Sequence, residues 1–251
     1  MPLTDRVVLV TGASSGIGRA IALACAHEGA DLIITYWHER AKAESVADAI
    51  RGVNRRVCVL PLDLADSASI IRLASSAKEA FGRIDAWINN AGADILTGPA
   101  SSAPLFDKLD RLLTVDLKGT ILASWAAADL MGAQETGGVI INMSWDHVLA
   151  GMEGKNPEMF SAVKGGILSF SKSLARSVAP KVRVNVLAPG WIDTAFSGGL
   201  DAARRQTVID STPLHRYGTP EDVAGAAVYL ASPAAAFLTG QAILINGGVV
   251  M

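Results

Sequence analysis

"VVLVTGASSGIGRAIALACAHEGA", Val7 to Ala30, sets an apolar run directly before a turn carrying Gly12, Gly16 and Gly18, with a helix-like pattern directly after it. Glycines in such a turn allow close backbone approach. The helix behind them offers free N–H groups and a positive dipole end to a diphosphate. The spacing is G-x-x-x-G-x-G, not the G-x-G-x-x-G of the usual dinucleotide fingerprint. A strand, a glycine turn and a helix in that order open a βαβ crossover, so the stretch predicts an α/β fold.

Working outward, "DLIITY", "RVCVLPL", "RIDAWIN", "GVIINMS", "VRVNVLA" and "QAILIN" repeat the β-rich character of "RVVLVT", with helical candidates between them. The alternation predicts a Rossmann-type doubly wound parallel sheet of about seven strands with helices on both faces. With 251 residues, half of them hydrophobic, the chain can fill one core, and no linker, repeat or low-complexity tract divides it. Residues 1–251 therefore read as a single domain. Trp191 to Thr212, with a Gly-Gly pair before "DAARRQTVID", reads as a mobile helical flap suited to substrate selection.

Charged residues make up 18% of the chain and the net charge is -2, which gives no electrostatic footprint for nucleic acid or an anionic membrane. Small molecules and further copies of the chain are the expected partners. Cys25 and Cys58 stand in apolar runs and read as reduced core residues, so a cytoplasmic setting is expected. "MPLTDRVVLVTG" lacks the regions of a signal peptide, and "TILASWAAADLMGA" is short and broken by Asp129, which argues against a membrane span. Neither zinc-ligand spacing nor a paired-carboxylate arrangement stands out.

"TGASSGIG", "NNAG" at Asn89 to Gly92, "APGWIDT" at Ala188 to Thr194, "RYGTPEDVAGAAVYLAS" and "LTGQAILINGG" follow one another along the chain. With these motifs in this order, the sequence resembles the short-chain dehydrogenase/reductase family in its compact single-domain branch, over essentially its whole length. The resemblance implies an NAD(P)-dependent oxidoreductase acting on a carbonyl or secondary alcohol. It places Gly12, Ser14, Ser15, Gly16, Ile17 and Gly18 in the phosphate loop, and Asp63 with Leu64 at the adenine. Asn90, Ala91 and Gly92 would line the adenosine side, and Pro189, Gly190, Ile192 and Thr194 the nicotinamide. The alternative for Asp63, from local pattern alone, is a solvated cap on the following helix. The resemblance also implies a homotetramer or homodimer, formed through the helices containing Asp116 and Lys164 and through the C-terminal segment.

A carboxylate at the end of the second strand would bind a ribose 2′-hydroxyl and repel a 2′-phosphate. Tyr36 and then Trp37 occupy that place, which favours NADP(H) over NAD(H). His38 and Arg40 read either as phosphate neighbours or as a solvated helix start.

At the reaction end, the family uses a tyrosine to handle the alcohol proton, a lysine four residues later on the same helix face, a serine and an asparagine. Lys164 fits the lysine and would also hold the nicotinamide ribose. The tyrosine position falls on Phe160, which keeps the ring but has no ionisable group. The serine position falls on Trp145, one residue after Ser144, which is its alternative; the asparagine position falls on Asp116, able to support a water or pair with Lys164. Tyr36, Tyr217 and Tyr229 lie in segments far from this helix. Asp146 and His147 in "SWDHV" read either as an Asp-assisted acid or as polar turn residues. Three readings follow: an oxidoreductase with atypical proton transfer, a catalytically inactive nucleotide-binding sensor or oligomer partner, and a deliberate Tyr→Phe replacement.

Overall fold

The aliphatic runs pair into one parallel sheet whose residues alternate between two cores. In β1 (Val7–Val10), Val8 and Val10 join the core under one layer of helices, and Val7 and Leu9 join the opposite core. Both faces of the strand are therefore apolar, as a sheet covered on both sides requires. The computed structural model describes residues 1–195 and 201–251. Among these, β1, β2 (Asp31–Tyr36), β3 (Val57–Pro61), β4 (Ala86–Asn89), β5 (Gly138–Met143), β6 (Val182–Pro189) and β7 (Ala242–Ile245) form a seven-stranded sheet in the order β3-β2-β1-β4-β5-β6-β7.

Helices α1 (Gly16–His27), α2 (Arg40–Gly52) and α8 (Pro220–Ala231) supply the core on one face. The other face is covered by α3 (Ser67–Phe81), α5 (Gly119–Gly132) and α6 (Lys155–Val178). The short α4 (Leu105–Arg111) leads into α5 through a π-helical stretch, Leu112–Lys118. Such a widened turn inside a helical run often marks a functional position, and this one carries Asp116.

The sheet reverses its winding between β1 and β4, whose registers pair Val8 with Ala86 and Val10 with Ile88. A crevice opens beyond the carboxyl ends of strands at such a switch point. Beneath it, Asn89 Nδ2 donates to Asn142 Oδ1 at 2.8 Å and to Ser124 Oγ at 3.0 Å, and Asn142 Nδ2 donates to Ser171 Oγ at 2.9 Å. This buried ladder ties β4 and β5 to α5 and α6 and so fixes where α6 presents its side chains. Of the sequence-predicted flap, α7 (Ala202–Ser211) forms the helix expected from "DAARRQTVID", while 196–200 lies outside the described residues. Among the described residues no helix is long and apolar enough to cross a membrane. Cys25 and Cys58 are free thiols; burial pushes Cys25 up to about 12.

Candidate active site

At the β1 end of the crevice the backbone turns sharply: Gly12 has φ +65° and Gly16 φ +53°. Gly18, in the first turn of α1, lies so close to the loop that a Cβ there would stand 2.3 Å from the Gly12 carbonyl oxygen and 2.4 Å from Asn90 Nδ2. Asn90 itself donates to the carbonyls of Thr11 at 3.0 Å and Gly12 at 3.3 Å, and Thr11 Oγ1 accepts from the N–H groups of Asn90 and Ala91. The side chain of Asn90 thus holds the loop in shape. Ser15 caps α1 without a side-chain hydrogen bond, so the cap residue leaves the first N–H groups of the helix open.

The uncapped helix end and the glycine turn suit a dinucleotide diphosphate. Facing them, Gly92 lies under Asp116, and Thr194 Cγ2 would be 3.8 Å from a Cβ at Gly16. Asp63 Oδ1 accepts from the Ala65 N–H at 2.9 Å, while the N-cap of α3 is Asp66, whose carboxylate accepts from the Ala68 N–H. The capping role weighed for Asp63 therefore belongs to Asp66. Leu64 packs against α5: a Cβ on Gly119 would meet Leu64 Cβ at 2.8 Å. At the β2 end, Tyr36 closes the strand and Trp37 is 52% exposed. Trp37 lies against His38 with centroids 3.6 Å apart and the ring planes tilted by 32°, and the Arg111 guanidinium lies 5.4 Å over its ring.

Nearer β5 and β6 the polar groups are engaged with one another. Lys164 Nζ, on α6, lies 2.9 Å from Asp116 Oδ2 on the π-helical stretch, and Asp116 Oδ1 accepts from the Ala93 N–H at 2.7 Å. Both side chains are nearly sealed from solvent, at 11% and 2% exposure. The Ser144 hydroxyl donates to the Lys164 carbonyl at 2.8 Å, so its proton is spent on bracing α6 against β5. Phe160 stands one turn before Lys164, over a small cluster that includes Ile95, Leu112 and Val163, with Lys164 Nζ 6.0 Å from its ring centroid.

Trp145 meets Phe160 edge-on at 6.1 Å and stacks on His147 at 4.9 Å. His147 Nδ1 lies 2.7 Å from Asp146 Oδ1; the aspartate is fully buried and the histidine side chain 13% exposed. The other carboxylate oxygen of Asp146 has no partner among the described residues and faces Gly190, where a Cβ would come within 2.8 Å of it. Sequence reading raised this Asp-His pair only as one of two alternatives; their adjacency in "SWDHV" was the available signal.

Beyond Gly190, Ile192 bridges to Gly218, and Trp191 meets Tyr217 edge-on at 6.4 Å. Arg205 of α7 pairs with Asp193 at 2.6 Å and lies 4.4 Å over the Tyr217 ring. Tyr217, remote from α6 along the chain, packs beside this segment, its hydroxyl buried, without a partner among the described residues and pushed up by burial.

Residues 12–250 match the family model described as enoyl-(acyl carrier protein) reductase. A 3-oxoacyl-[acyl-carrier-protein] reductase of Synechocystis sp. is 36% identical, covering 99% of this chain and 98% of its own. An L-rhamnose 1-dehydrogenase (NAD(P)(+)) of Sphingomonas sp. is also 36% identical, over 98% of this chain and 97% of its own. Among solved structures, a short-chain dehydrogenase/reductase from Serratia marcescens superposes with a TM-score of 0.90 at 31% identity, over the full length of both chains. A blue fluorescent protein from a metagenomic library, in complex with NADPH, gives 0.88 at 29% identity, likewise over both full chains.

Proposed function

The chain belongs to the short-chain dehydrogenase/reductase family, and from that premise we propose that it is an NAD(P)-dependent oxidoreductase interconverting a carbonyl and a secondary alcohol. The observation that carries the reading is the uncapped N-terminus of α1 behind a glycine turn, at the sheet's switch point. Bound there, a dihydronicotinamide coenzyme supplies a hydride and its oxidised form accepts one. Gly12, Ser14, Ser15, Gly16, Ile17 and Gly18 cradle the diphosphate, Asp63, Leu64, Asn90, Ala91 and Gly92 flank the adenosine, and Pro189, Gly190, Ile192 and Thr194 face the nicotinamide. Lys164 holds the ribose next to it. With Tyr36 and Trp37 at the β2 end and no carboxylate, NADP(H) is preferred.

Phe160 stands where the family's tyrosine would act, so proton transfer is atypical. The substrate is a small carbonyl or alcohol compound, admitted past α7 and Trp191. Homotetramer or homodimer formation through the α5 and α6 faces belongs to the same proposal; Trp125, 51% exposed on α5, suits such a contact.

Titration with NADPH and NADH, followed by turnover on ketones, quinones and sugar lactols, tests the reading. Micromolar binding with measurable turnover is expected, and failure to bind either coenzyme contradicts it. A second reading, a coenzyme-binding protein without hydride transfer, is favoured by the Lys164–Asp116 pair and the committed Ser144 hydroxyl. Tight binding with no turnover on any compound would select it.

A further inference from the structure

The reaction end of the crevice holds several groups with exchangeable protons, and most are already bound in place. Lys164 Nζ is paired with Asp116, whose second oxygen is taken by the Ala93 N–H. The Ser144 proton is on the Lys164 carbonyl. The Tyr217 hydroxyl is buried and without a partner among the described residues, its ring set against Trp191 and Arg205. His147 differs from all of these: its Nδ1 is fixed by a buried carboxylate, its ring is held by stacking on Trp145, and its second ring nitrogen has no hydrogen-bond partner among the described residues.

We propose that His147, oriented by Asp146, exchanges the proton with the substrate oxygen, in place of the hydroxyl that Phe160 lacks; this rests on the oxidoreductase reading above. The Asp146 carboxylate accepts from Nδ1, which leaves Nε2 as the ring nitrogen free for a substrate, and among the described residues Nε2 has no hydrogen-bond partner. Asp146 in turn packs against Gly190, so the histidine is tethered to the same backbone that faces the nicotinamide. Trp145 links it to Phe160 and thereby to the lysine.

In the reducing direction the carbonyl carbon receives a hydride from the reduced coenzyme, and the C=O π pair moves onto oxygen. The oxygen takes the Nε2 proton of the doubly protonated His147 ring, leaving the neutral Nδ1–H form, and a proton from solvent restores the cation. Oxidation runs the same steps backwards, with neutral His147 as the base. Asp146 acts as a positioning residue throughout: it selects the tautomer and does not itself exchange a proton.

Two measurements test this. In two-bond ¹⁵N–¹H spectra of the coenzyme-free protein, neutral His147 is expected as the Nδ1–H tautomer, and Asp146→Asn is expected to shift it toward Nε2–H. In steady-state kinetics, His147→Gln is expected to lower kcat about 100-fold with KM changed less than threefold. In a Phe160→Tyr background the same substitution is expected to cost less than tenfold, because a second proton handler is present. An active wild type that is indifferent to His147→Gln, or a His147 found as Nε2–H, overturns the proposal alone. A wild type that binds coenzyme and turns nothing over removes the oxidoreductase reading with it.

Discussion

At the mouth of α1 the first N–H groups are left without a side-chain cap, whereas beside Phe160 the side chains of Lys164, Asp116 and Ser144 are each engaged. The first N–H groups of the helix have no side-chain cap, while Lys164, Asp116 and Ser144 are closed on one another within 2.9 Å. The difference is physical. An open helix end is a binding site waiting for charge, and a buried ion pair is a site whose charge has been satisfied internally. One region presents an uncapped helix end, and the other sets a phenylalanine, a tryptophan and an Asp-His pair beside a closed ion pair.

The largest expected effect breaks the closed end. Lys164→Met leaves the Asp116 carboxylate buried without its cation and should cost about 3–5 kcal/mol of folding stability. Adding Asp116→Asn to the same chain should recover most of that in thermal unfolding. If Lys164→Met alone is neutral, the pair is not a structural element of the site. A smaller effect is expected at the open end: the Cβ of Gly18→Ala is forced against the Gly12 carbonyl, costing about 1–3 kcal/mol. Coenzyme affinity, measured by fluorescence titration, should fall at least tenfold.

Asn142→Leu probes the ladder beneath both ends. It strips partners from Asn89 and Ser171, and chemical denaturation should show a loss of about 1–3 kcal/mol. The smallest effect lies on α8, next to Gly218. The Arg216 guanidinium and the Thr219 N–H hold the Asp222 carboxyl at about 2, below the ordinary 3.8. A carboxyl lowered by folding stabilises above the unfolded value and loses that contribution as pH falls from 3.8 through about 2. Asp222→Asn should therefore cost about 1 kcal/mol at neutral pH, allowing for solvent screening of a half-exposed partner. The gap in unfolding temperature between Asp222→Asn and wild type should close at about pH 2.

The strands and the glycine loop were legible because their signals are local. Val7 to Val10 is apolar at every position because both faces are covered, and the turn glycines announce themselves by type. What was not legible depends on contacts distant in sequence. The Lys164–Asp116 pairing could be named only as one option, since nothing local tells a carboxylate that supports water from one that takes a lysine. The direction of the Ser144 hydroxyl, toward an α6 carbonyl rather than into the crevice, is set by how α6 docks on β5. The π-helical stretch under Asp116 and the Asn89–Asn142–Ser171 ladder left no trace in the pattern of apolar residues. Tyr217, remote along the chain, meets Trp191 where Gly218 bridges to Ile192.

The contrast between the two ends is tested most directly by measuring coenzyme affinity and turnover side by side for the wild type and Phe160→Tyr. Equal affinity for NADPH within about twofold, with kcat raised at least tenfold by the hydroxyl, is the predicted result. A wild type that binds no coenzyme would contradict the account, as would a tyrosine that shifts affinity tenfold or leaves kcat unchanged.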